Sequence, residues 1–93
     1  MSNAYLLVFT PDKFDRDDVI ELFDKMDGVE NWFYSIPNSV FIVGTVPART
    51  LSKRFIERFG QSRHFVTIIS KKARGGWLPK EHWALMPKDE SGA

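Results

Sequence analysis

The 93-residue chain has no cysteine and only two histidines, His64 and His82. Without cysteine there are no disulfides, thiolate nucleophiles, Cys-bound zinc or iron–sulfur sites, and two isolated histidines make a poor metal site. No run of about 18 apolar residues is present, so a membrane span is not expected. The start, Met1 to Phe9, puts no basic stretch ahead of a long apolar one, so a secretory signal is not expected either. A soluble, cytoplasmic protein with no membrane partner is the expectation. The nucleophile elbow, the P-loop and the dinucleotide-binding glycine pattern are all absent, and Arg74-Gly75-Gly76 is too short for a phosphate cradle. Nothing in the chain demands catalysis.

What is present describes a folding chain. Hydrophobic residues make up 43%, aromatic residues 14% and charged residues 27%, too apolar for disorder and without repetitive bias. The length suits one domain spanning 1–93, with order expected over about 4–87 and a frayed tail over 88–93. The net charge of +1 hides a split along the chain. Residues 12–30 hold eight acids and three bases, whereas residues 49–74 hold eight bases and one acid. That asymmetry suits either a basic binding face or two neighbouring helices of opposite charge that steady each other.

Hydrophobic periodicity divides the chain into elements. Tyr5 to Thr10 is a short apolar run, closed by Pro11-Asp12, and reads as a strand. Asp15 is placed to cap a helix, with Asp17 and Asp18 in its first turn, Phe14 stapling onto Val19, and Gly28 as a left-handed stop. Residues 31–36 and 40–45 read as a hairpin around Pro37-Asn38-Ser39. Pro47 opens a second helix with Ala48, Leu51, Phe55 and Phe59 on its apolar face, and Gly60 ends it. Residues 64–70 form a fourth strand, and Pro79 to Met86 a short helix stopped by Pro87. The order is that of an α+β, ferredoxin-like βαββαβ domain: a four-stranded antiparallel sheet, two helices on one face and a short C-terminal helix.

Such a sheet has a second face, and its strands are apolar on both sides. Tyr5, Leu7 and Phe9 alternate with Leu6 and Val8, and Phe65 and Ile69 with Val66 and Ile68. An uncovered apolar face favours association, so a homodimer through the sheet is expected. The candidate dimer-face residues are Tyr5, Leu7, Phe9, Phe65, Ile69, Trp77 and Trp83. The alternative is that Trp77 to Met86 folds back over its own sheet.

The candidate nucleic-acid contacts are the clustered cations Arg49, Lys53, Arg54, Arg58, Arg63, Lys71, Lys72 and Arg74. The competing reading is a solvated basic helix beside an acidic one. Asp15, Asp17 and Asp18 are explained by helix capping, and the two histidines read as satisfied or exposed rather than as metal ligands or general bases.

Trp32-Phe33-Tyr34 leading into Asn38 to Val43, together with the tail Gly76-Trp77-Leu78-Pro79-Lys80-Glu81-His82-Trp83, resembles small SinR-like proteins. These look like relatives of the CRISPR-associated small ferredoxin-like endonucleases and of GhoS-type antitoxin nucleases. The resemblance implies the ferredoxin-like fold and a dimer joined through its sheets. In the CRISPR-associated relatives the first strand ends in an aspartate that serves metal-dependent phosphodiester cleavage; here the matching position is Thr10. Asp12, two residues on, is the one catalytic candidate, acting with its symmetry mate and Mg²⁺ in a nuclease alternative. The preferred expectation is a non-catalytic binding or adaptor dimer, without a cofactor, whose partner is RNA, DNA or another protein.

Overall fold

The N-terminal apolar run forms β1 (Asn3–Phe9), and the other elements assemble around it in the computed structural model, which describes residues 2–87. The tail expected over 88–93 lies outside the described residues. After β1 come α1 (Arg16–Asp24), β2 (Val29–Phe33), β3 (Ser39–Gly44), α2 (Ala48–Phe59), β4 (His64–Ile69) and α3 (Lys80–Leu85). The strand order is β2-β3-β1-β4 and every pairing is antiparallel, which is the expected ferredoxin-like arrangement with one added helix. No helix among the described residues is long and apolar enough to cross a membrane.

α1 begins where its sequence signals place it. The Asp15 carboxylate accepts from the Asp18 backbone N–H at 3.1 Å, and the Asp18 carboxylate accepts from the Asp15 N–H at 3.0 Å, a complete capping box. The helix ends at Lys25, three residues before the expected stop, because Gly28 serves the next turn instead. With φ at +90°, Gly28 lets the chain run so close to β3 that a Cβ there would collide with the Val46 side chain. Its carbonyl accepts from Thr45 N–H at 2.9 Å, so pairing with β3 starts at Val29 and β2 spans 29–33 rather than 31–36. A bulge between Val29 and Asn31 absorbs the offset. Gly60, at φ +82°, closes α2 as expected, its N–H reaching the Ile56 carbonyl at 2.8 Å.

The register fixes which side chains face the helices. Tyr5 lies opposite Ile42 and Ile68, and Leu7 opposite Val40 and Val66. Tyr5, Leu7, Phe9, Val40 and Ile42 form the main core with Val19 and Phe23 of α1 and Leu51 and Phe55 of α2. Phe14 joins this core by stacking on Phe59 at 4.4 Å. Tyr5, Leu7 and Phe9 are therefore buried beneath the helices and cannot form a dimer face.

The second face is covered in large part by the chain itself. Ala4, Phe33 and Phe41 form a second buried cluster with Leu78 and Met86, while Leu6, Ile69 and Trp83 pack against it. Phe33 and Phe41 stack at 4.7 Å, their ring planes nearly parallel at 2°. The segment 77–86 is thus a strap across the sheet, and the premise that a second copy must cover this face is corrected. Burial within one chain avoids the translational and rotational cost of association, so the strap has the advantage over a partner. Trp77, at the start of the strap, is 84% exposed, and Phe65, opposite Val8 near the far end of the sheet, is 69% exposed.

These contacts set a contrast between two strap residues. Met86→Ala should lower unfolding stability by about 2 kcal/mol, whereas Trp77→Ala should change it by less than about 0.5 kcal/mol, as measured by urea denaturation.

Candidate nucleic-acid interface

Helix α2 is amphipathic: Leu51 and Phe55 turn inward, and Arg49, Lys53, Arg54 and Arg58 are exposed. Arg49 and Lys53 are one turn apart, as are Arg54 and Arg58, so the charges run along the helix in adjacent rows. The helix is tied to β4 by a side-chain relay. The Ser52 hydroxyl meets His64 Nε2 at 2.7 Å, and His64 Nδ1 meets the Ser62 carbonyl at 2.8 Å. A carbonyl only accepts, so Nδ1 carries a proton, and in the neutral imidazole Nε2 then accepts from Ser52. The imidazole also stacks on Phe55 at 4.3 Å. His64 is therefore a satisfied structural group, as its sequence context suggests.

The acidic and basic helices are in contact, and Asp27 and Arg54 line the same groove between them. Among the described residues no ion pair joins α1 to α2; the pair present is Arg54 with Glu57, at 3.6 Å within α2, with both side chains more than half exposed. Such a surface pair contributes little. The acids serve the other side of the molecule: Asp15 and Asp18 cap α1, Asp24 accepts from the Trp32 indole N–H at 2.7 Å, and Glu30 accepts from the Ser2 hydroxyl. Acid accordingly lines the β2 edge, and base lines the α2 and β4 edge.

The remaining sequence-predicted cations divide. Arg63 is exposed at the head of β4, its carbonyl accepting from Thr10 N–H at 3.1 Å. Lys72 is exposed just past the far end of β4, and Lys71 beside it is half-buried. A six-residue strand of about 20 Å separates Arg63 from this pair. The Ser70 hydroxyl accepts from the N–H groups of Lys72 and Ala73, at 3.1 and 2.8 Å, and so holds the turn. Arg74 leaves the set. Its Nη1 is buried with no hydrogen-bond partner, and its guanidinium lies 5.7 Å from the centre of the Trp83 ring of the strap. Sequence reasoning missed this because residue spacing carries no sign that a cation beside Gly75-Gly76 turns inward.

Asp12 is exposed in the bend after β1, where its backbone N–H bonds the Phe14 carbonyl at 3.3 Å. No group of three or more His, Asp or Glu side chains suited to a metal ion occurs among the described residues. A further group unforeseen in the sequence is Arg16, whose guanidinium lies 3.8 Å over the Tyr34 ring, which itself stacks on Trp32.

No family model, curated protein or solved structure matches the chain.

The relay between α2 and β4 predicts that Ser52→Ala, which leaves His64 Nε2 without its donor, will destabilise the fold by about 1 kcal/mol in equilibrium denaturation.

Proposed function

We propose that the protein is a non-catalytic binding module that contacts a nucleic-acid backbone through the outer face of α2 and the two ends of β4. The supporting observation is the separation of charge: Arg49, Lys53 and Arg58 are exposed, and no acidic side chain of α1 is paired with them. A basic helix that merely balanced an acidic one would place those partners within reach of each other. In the same proposal Arg63 and Lys72 extend the contact beyond the helix at either end of β4. Arg74 takes no part.

A homodimer belongs to this reading in a changed form. The strap leaves Val8 and Phe65 uncovered, cross-strand neighbours that are 44% and 69% exposed. They are the apolar patch on which two copies would meet, in place of the buried Tyr5, Leu7 and Phe9.

Fluorescence anisotropy with a labelled RNA or DNA oligonucleotide tests the main claim. Affinity should fall as salt rises, with a log–log slope of roughly −3 to −5, and Lys53→Ala should make that slope shallower by about 1. Absence of binding at low salt would overturn the nucleic-acid reading.

A further inference from the structure

Between the strap and the sheet lies a cavity of about 200 Å³. Leu6 and Phe41 contribute to its sheet side, Trp77, Trp83 and Met86 to its strap side, and among the described residues Arg74 is the only charged one lining it. A desolvated guanidinium nitrogen without an acceptor is costly in an apolar setting, and such a group in a folded protein calls for an explanation. The Trp83 ring offers the guanidinium a π face, but it supplies no acceptor in line with Nη1. The loop Arg74-Gly75-Gly76 forms one wall, so the cation is held at the rim of a greasy chamber.

We propose that this cavity is a binding site for a small monocarboxylate with an apolar body, its carboxylate on Arg74 and its hydrocarbon part between the strap and the sheet. Two features select this class. A carboxylate matches the planar guanidinium and needs no further cation, whereas a phosphate brings oxygens for which the described lining residues offer no other charged side chain. The volume is below the range typical of drug-sized ligands and corresponds to roughly ten heavy atoms or fewer. The site uses none of the cations assigned to nucleic acid, so it stands or falls independently of that reading.

Calorimetric titration of the full chain with phenylacetate, hexanoate and phenylacetamide tests the assignment, with Trp83 fluorescence as a second readout. The carboxylates should saturate the protein, and the neutral amide should bind at least about tenfold more weakly, the worth of one charge-assisted hydrogen bond. Arg74→Met should abolish the preference for the acid, and Arg74→Lys should retain part of it. The proposal is overturned if neither carboxylate saturates at low millimolar concentration, if acid and amide bind alike, or if folded Arg74→Met keeps the preference. The acid-to-amide comparison on the unaltered chain decides the matter even if the variants fail to fold.

Discussion

The two-sided apolar character of the central strands governs the rest of this structure. β1 and β3 carry large hydrophobic side chains on both faces, so the sheet needs two covers and the helices supply one. The second cover comes from the last described residues, which return across Ala4, Phe33 and Phe41 and close over them with Leu78 and Met86. Each such side chain taken out of water contributes about 1.5–3 kcal/mol, set against the ordering of a short segment already tethered beside its target. The strap therefore belongs to the domain's core.

That constraint explains why the surface divides as it does. With α1 packed on β2 and α2 on β4, the acidic and basic helices lie over opposite edges of the sheet. Carboxylates are taken up locally, in a capping box and in hydrogen bonds to Trp32 and Ser2. Of the cations, Arg49, Lys53, Arg63 and Lys72 are exposed, while Arg54 pairs with Glu57 within α2 and Arg58 lies over the Phe59 ring. Arg74, carried inward by the chain that forms the strap, is the exception, and its setting follows from the same need for cover.

The element order and the α1 cap were legible in the sequence because both rest on local chemistry: alternating apolar runs, Asp15 three residues before Asp18, and Gly60 after the last apolar turn of α2. The β2 boundary was not, since it depends on Gly28 meeting Gly44 and Val46 across the sheet, a contact between residues distant in the chain. The face assigned to Tyr5, Leu7 and Phe9 was equally out of reach, because a strand that is apolar on both sides gives its pattern no sign of inside and outside. The cation cluster could be read from composition. Whether its charges would be neutralised could not, because that depends on how two helices are placed.

The outer edge of β4 carries one more consequence. The Thr10 N–H to Arg63 carbonyl bond sets the phase of pairing, so the amide and carbonyl groups of Val66 and Ile68 point away from β1, toward the open side of an edge strand whose Phe65 and Ile68 are exposed. A bare hydrophobic edge of this kind is a template for fibril growth. Antiparallel docking of two such edges would bring the exposed Arg63 of one molecule near the exposed Lys72 of the other, and like charges facing each other across strands disfavour that pairing.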